Sequence, residues 1–436
     1  MLKRGWLLGV SGLILIGLLV ACGTNYDSSS DGLLVVGSQG SSAIETFSFT
    51  LNNGHVATIT NSPNDTGNET CILNGSPAGM VINPAGTYAF VIFNKSDICP
   101  NATQFGIATF KLNSDGTASQ TGNLLVDPNP TSLAMDPAGK YLFVAEGVST
   151  IAIANATAEG TACTQTPTQN GVCLYAIGSD GGLTSVPSTF TLPPTPMTPN
   201  FVAIAPTPTV FPPIGINGVQ NSVCSVNNPP TSQFLYAVDA VNYLVWQFSV
   251  DPNTGALGNP GVGGQLNSFA TDQVPLGIAV DPCDRFAYVS DSLTNKVSAY
   301  TICSGVISGG VCPNADGTLL PVVGSPFSLS GSNNGPGPLV VDPFGNNVYV
   351  LGTLSNVISG FKISPVSGGL TALNPPTVAT GQRPVSIAIR ADDNWMFVTN
   401  FNSATVSQYS ITPATGALSV AAPIQTDNQP FGVAVK

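Results

Sequence analysis

The side chains best suited to chemistry in this chain are a few carboxylates, each at the end of a short apolar run, and one arginine just before another such run. Glu146 closes Tyr141-Leu-Phe-Val-Ala, Asp239 closes Phe234-Leu-Tyr-Ala-Val, Asp291 closes Phe286-Ala-Tyr-Val-Ser and Asn400 closes Trp395-Met-Phe-Val-Thr. Gly37, Phe93 and Gly352 hold the same place in three related runs, and Arg383 stands just before Pro384. A carboxylate placed beside a cation can act as general base while the cation holds a carboxylate or a developing oxyanion, so Glu146 and Arg383 are the candidate catalytic pair. Asp239, Asp291 and Asn400 are candidate binding residues. A second reading stays open for all of them, because Asp, Asn and Gly at a strand end also form turns by bonding their own backbone. The sole histidine, His55, follows Asn52-Asn53-Gly54 and reads as a surface residue. Without a second histidine, triad nucleophiles and zinc hydrolysis are poorly served. No GxSxG, HExxH or phosphate-cradling glycine loop occurs, and neither a metal site nor a cofactor is expected.

The elements that must carry these residues show in a repeated phrase: Pro, two variable residues, aliphatic, small or Val, aliphatic, Asp or Asn, Pro. Copies begin at Pro77, Pro130, Pro199, Pro275, Pro336, Pro384 and Pro430. Such repeats mean an array of like units. After six of them come a turn, an aromatic and β-branched strand, a polar turn, a third strand such as Val297-Ser-Ala-Tyr-Thr, and a Gly-tipped turn into a fourth strand. Four antiparallel strands per unit of about 45 residues predict an all-β propeller with few helices. The chain opens with a second-strand phrase at Leu33 and ends with an isolated first-strand phrase at Pro430 to Lys436. Joining the two predicts seven blades, with the C-terminal strand innermost in blade one, and closure of this kind removes exposed sheet edges. The propeller is expected to span 32–436 as one domain.

The N-terminus is a separate object. Lys3 and Arg4 precede an apolar run from Leu7 to Val20, too short to span a bilayer, then Leu19-Val20-Ala21-Cys22. These four residues resemble the lipobox of bacterial lipoproteins. That resemblance implies a signal peptide over 1–21, lipidation of Cys22, a flexible tether over 22–31 and, with Gly23 after the cysteine, an outer-membrane address.

The formal charge is −12 with only 11 Lys and Arg, scattered along the chain, so nucleic-acid binding is not expected. There are nine cysteines, and Cys22 apart the number is even, which suits disulfides in an exported chain. Propeller topology puts loops one-to-two and three-to-four on one face and loops two-to-three and four-to-one on the other. It suggests the pairs Cys71–Cys99, Cys163–Cys173, Cys224–Cys283 and Cys303–Cys312.

The phrases Pro275-Leu-Gly-Ile-Ala-Val-Asp-Pro, Phe397-Val-Thr-Asn and Val406-Ser-Gln-Tyr-Ser-Ile-Thr-Pro-Ala-Thr-Gly-Ala-Leu resemble the seven-bladed lactonase-like propellers, a family of 6-phosphogluconolactonase-type enzymes and YVTN-repeat surface proteins. The likeness covers roughly residues 32 to 436. It implies a ligand site at the channel mouth, on the face of the two-to-three and four-to-one loops. It also implies His, Arg and Glu around the channel, and here the sequence departs, because His55 belongs to the outer part of blade one. The same blades host enzymes and binders. The leading expectation is therefore a lipid-anchored envelope module that binds a protein, glycan or small molecule, its long insertions at 155–173 and 206–230 presented for recognition. The alternative is a lactone hydrolase.

Overall fold

The computed structural model describes residues 31–50, 53–59, 76–94, 105–126, 130–146, 171–186, 199–204, 233–261, 265–304, 312, 314–332 and 334–436. Among these residues there is no α-helix, and none is long and apolar enough to cross a membrane. Strands gather into seven antiparallel sheets, each with four strands in order from the axis outward, the outer strand being two short pieces in three of them. The innermost strands are the repeated phrases: Ser76–Ile82, Pro130–Met135, Pro199–Ile204, Pro275–Val280, Pro336–Val341, Pro384–Ile389 and Pro430–Val435.

The phrase ends in Asp or Asn because the turn into the second strand needs an acceptor. Asp136 Oδ1 takes the N–H groups of Lys140 and Tyr141, each at 2.6 Å. Asp281, Asp342 and Asn83 do the same for Phe286, Asn346 and Tyr88. These are Asx-type turns, stable because the side chain replaces a missing backbone partner. Within the turn one residue adopts positive φ: Gly86, Gly139 and Gly345 in blades two, three and six, but Asp284 and Asp393 in blades five and seven.

Both faces of the second strands are buried, which is why they read as unbroken apolar runs. Alternate side chains go to opposite neighbours. Leu33 and Val35 pack with blade two, whereas Leu34 and Val36 pack with blade seven. Seven core clusters result, one in each seam between adjacent blades. Polar staples run the same way round. Thr109 donates to Gly181 O, Tyr141 to Asn253 O, Tyr236 to Gly317 O, Tyr288 to Gly368 O, Tyr349 to Gly416 O and Gln408 to Gly54 O, each reaching the three-to-four hairpin of the next blade.

Closure takes the expected form. Pro430–Val435 pairs with Asp31–Ser38, Lys436 N donates to Leu33 O at 2.9 Å, and Phe49 packs on Phe397 across the last seam with ring centroids 5.3 Å apart. Cys303 and Cys312 are joined, as expected. Cys173 and Cys283 are also disulfide-bonded. Cys22, Cys71, Cys99, Cys163 and Cys224 lie outside the described residues, as do the signal and tether at 1–30 and most of the two long insertions.

Candidate functional site

At the mouth each innermost strand begins opposite the end of a second strand. Pro130 faces Glu146, Pro199 faces Asp239, Pro275 faces Asp291, Pro336 faces Gly352 and Pro384 faces Asn400; Pro77 faces Phe93. In blade one the residue is Ser38, opposite Pro430, and Gly37 sits one step deeper against Gly432. All seven blades share the register shift that follows the innermost proline. Blade one differs because its apolar run ends early, at Val36, and the strand continues through Gly37 to Ser38.

The structure brings most of these polar groups into one recurring bond rather than into a reactive cluster. The mouth residue reaches across its own hairpin to a third-strand residue seven positions on. Ser38 Oγ donates to Glu45 Oε1 at 2.6 Å, Trp246 Nε1 to Asp239 Oδ2 at 3.1 Å, Ser298 Oγ to Asp291 Oδ2 at 2.7 Å and Asn400 Nδ2 to Ser407 Oγ at 2.9 Å. In blade six Gly352 has no side chain to offer, and Ser359 Oγ is left without a partner among the described residues.

Asp239 is wholly engaged. Its Oδ1 takes Val241 N and Asn242 N, and its Oδ2 takes Asn242 Nδ2 as well as Trp246. Asn400 bonds Thr380, Thr405 and Ser407. Both are fully buried. The turn-forming reading fits Asp239, whose Oδ1 caps its own two-to-three turn, whereas Asn400 ties the third strand to the inter-blade link through Ser407 and Thr380. Asp291 differs. It is buried, and desolvation pushes its carboxyl up to about 7 against the lowering bond from Ser298, while its Oδ1 finds no partner.

Arg383 stands apart. It lies on the link that leads from blade six into blade seven, exposed, with φ +53°. The same left-handed position before the innermost proline recurs at Val274, Gly335 and Gln429. There the reversed carbonyl accepts the first N–H of the two-to-three turn: Ser292, Thr353, Phe401 and Gln39 at 2.9 to 3.1 Å. Arg383 N is held by Asn356 Oδ1 at 2.8 Å, and its guanidinium lies 4.4 Å over the Phe401 ring. Phe401 is braced edge-on by Phe431 and lines an open depression of about 430 Å³ together with Gly40, Asn402, Ala404, Asn428 and Gln429. Gly40 is required there, because a Cβ would come within 2.6 Å of Asn428 O. An aromatic plate, a guanidinium and three amides suit a polar ring-shaped ligand with an anionic or carbonyl oxygen.

Glu146 ends the second strand of blade three, across the ring from Arg383, its backbone between Pro130 and Gly171. His55 lies exposed in the three-to-four hairpin of blade one, on the opposite face. Among the described residues no three His, Cys, Asp or Glu gather as a metal site. The group that residue types alone missed is Glu45, third-strand partner of Ser38. It is buried and pushed up to about 7, by desolvation first and by the Asp427 charge, against the hydrogen bonds from Ser38 Oγ and Asp427 N. Its signal is the seven-residue offset that also relates Asp291 to Ser298.

Seven four-stranded antiparallel blades closed into a ring define a β-propeller. Residues 220–433 match the family model described as lactonase, 7-bladed beta-propeller. No curated protein matches the chain. Among solved structures, the periplasmic gluconolactonase of Pseudomonas aeruginosa superposes with a TM-score of 0.62 at 18% identity, covering 93% of this chain and 99% of that one. A candidate 6-phosphogluconolactonase of Bacteroides fragilis gives 0.63 at 16%, covering 93% and 98%. A Lactobacillus plantarum protein gives 0.63 at 14%, covering 93% and 99%. At these identities the likeness speaks for the fold.

Proposed function

We propose that this protein is an exported, lactonase-like propeller that hydrolyses small cyclic esters at its channel mouth. The observation that carries the reading is Arg383, an exposed guanidinium with its backbone fixed and its side chain stacked on Phe401 beside an open polar depression. Arg383 holds the lactone carbonyl and the oxyanion that forms as water attacks. Glu146 stands on the opposite rim, so the ester must lie across the mouth between the two. There Glu146 takes the proton from that water and returns one to the ring oxygen as the C–O bond breaks, leaving a hydroxy acid. The lactonase-model match over 220–433 supports this chemistry. Purified protein should open lactones from a panel of five- and six-membered rings, and both Arg383→Gly and Glu146→Gln should abolish turnover. A panel with no turnover would discard the hydrolase.

The second reading is a binding module without turnover. What favours it is that Asp239 and Asn400 are buried and engaged in structural hydrogen bonds to the turn, the third strand and the inter-blade link. In both readings Cys22 carries the lipid that holds the protein to the outer membrane, and the oxidised cysteines support export. Palmitate labelling should mark the wild type and not Cys22→Ser; labelling of the serine variant would end the anchor proposal.

A further inference from the structure

The face opposite the mouth carries the turns from first to second strand, where one residue at positive φ lies against the preceding blade. Where that residue is glycine, the backbone shows which way a side chain would point. A Cβ at Gly86 would meet the Lys436 side chain of blade one, and a Cβ at Gly139 would meet Pro84 of blade two. A Cβ at Gly345 would lie 3.1 Å from Asp281 Oδ2 and 2.8 Å from Arg285 Nη2, both of blade five. Blade seven puts Asp393 in this position. Its side chain is therefore aimed at Asp342, the residue whose carboxylate caps the turn of blade six.

Two neighbouring seams handle charge differently. Between blades five and six, Arg285 Nε donates to Asp281 Oδ2 at 2.7 Å and Arg285 Nη2 donates to Gly345 O at 3.1 Å. One guanidinium neutralises the carboxylate and ties it to the next blade. Between blades six and seven, Asn346 stands in the place of Arg285 and Asp393 in the place of Gly345. The guanidinium has no counterpart, and a second acid has been added. Both carboxylates are 0% exposed. Asp342 is held by the N–H groups of Phe344 and Asn346 and by Asn347 Nδ2, at 2.6 to 3.1 Å. For Asp393 neither oxygen finds a hydrogen-bond partner among the described residues. Arg390, on the same turn, is directed elsewhere: to Asp392, to Lys436 O and over the Phe49 ring of blade one. A buried carboxylate without donor or counter-ion is costly, and buried charges are held by pairing or by a metal.

We propose that the seam between blades six and seven binds a divalent cation, calcium in preference to magnesium, between the Asp342 and Asp393 carboxylates. The ion takes the role that the Arg285 guanidinium has one seam earlier and fastens blade six to blade seven. Asp393 supplies two oxygens without other partners, and Asp342 keeps lone-pair capacity beyond its three N–H bonds. Two carboxylates match the charge of a divalent ion. Oxygen donors suit calcium and magnesium alike, but magnesium gives up its waters reluctantly, so a site closed to solvent favours calcium. Asp284 is the same residue in blade five, but the turn of blade four that it faces lies outside the described residues. The site lies on the face away from the mouth and is independent of the hydrolase reading. In the metal-free chain a proton takes the place of the ion, since burial and the Asp342 charge push the Asp393 carboxyl up to about 8.

The test uses the full mature protein before and after dialysis against EDTA. Elemental analysis reads the metal content of untreated protein. Calorimetric titration of the treated protein with calcium chloride and with magnesium chloride at pH 8 reads affinity and stoichiometry, and melting curves are taken with and without calcium. The variants are Asp393→Gly, which copies blades two, three and six, and Asp393→Asn, which keeps the shape and removes the charge. The expected result is one calcium per chain, magnesium binding weaker by roughly tenfold or more, and a melting temperature raised by about 3 °C when calcium is a hundredfold above its Kd. Both variants should fold and lose the binding and the calcium-dependent shift together. Untreated protein without calcium whose treated form takes up none, or binding and a melting shift that persist unchanged in either variant, would overturn the proposal.

Discussion

Arg383 and Asp239 show how differently two polar residues at one mouth are used. Arg383 has φ +53°, a conformation that costs an ordinary residue about 1 kcal/mol or more, and glycine fills the same position at Gly335. Arg383→Gly therefore removes the guanidinium and relaxes the backbone together. It should keep or slightly raise the melting temperature while lactone turnover disappears; a marked loss of stability would show that the side chain holds the fold. Asp239 is the reverse case. Four donors converge on its buried carboxylate, and Asp239→Ala strands them. Chemical denaturation should show a loss of about 2–4 kcal/mol, and the catalytic constant per folded molecule should hold. A catalytic defect with unchanged stability would return Asp239 to the active site.

At the scale of elements, the repeated phrase makes the innermost strands legible from sequence, because a proline, an apolar core and an Asx cap each leave a fixed residue type. Pro430–Val435 as the ring-closing strand follows from the same phrase. Side-chain pairing across the two-to-three hairpin is less legible. Asp291–Ser298 and Asn400–Ser407 could have been found by their common offset, but Ser38–Glu45 is disguised because the apolar run stops at Val36, two residues short of the mouth, and because the acid stands on the third strand instead of the second. The fourth strands are also hard to read, because their partly exposed outer positions accept many residues: Leu370–Ala379 is mostly exposed along its length. The Cys303–Cys312 bridge closes a short loop between the third and fourth strands of blade five. Replacing both cysteines by serine should cost about 2–3 kcal/mol in denaturant unfolding, and an unchanged midpoint would show the loop to be held by other contacts.

For the molecule as a whole, buried acids set the pH response. Desolvation raises Glu45 and Asp291 to about 7 and Asp393 to about 8, and raises Asp284 well above its ordinary range. Unfolded carboxyls titrate near 4. Between those values the folded chain holds protons that the unfolded chain releases, so stability is fully present below about pH 4 from these groups and is lost as pH rises through 7 to 8. Asp115 and Asp251, lowered by hydrogen bonds from Thr117 and from Thr254 N–H, are exposed and oppose this only weakly. The melting temperature should fall between pH 5 and 8.5. Asp393→Gly, the residue type blades two, three and six use at φ near +65°, should recover part of the loss at pH 8; an identical pH profile in that variant would contradict the assignment. Deleting residues 430–436 removes the innermost strand of blade one and should abolish cooperative unfolding. The central claim is a lactone-opening site at the mouth, and its most direct test is the initial rate of δ-gluconolactone hydrolysis, corrected for the spontaneous reaction, by wild type and Arg383→Gly side by side. Enzymatic turnover in the wild type that vanishes in a folded Arg383→Gly is the predicted result; equal rates in the two proteins, or none in either, would contradict it.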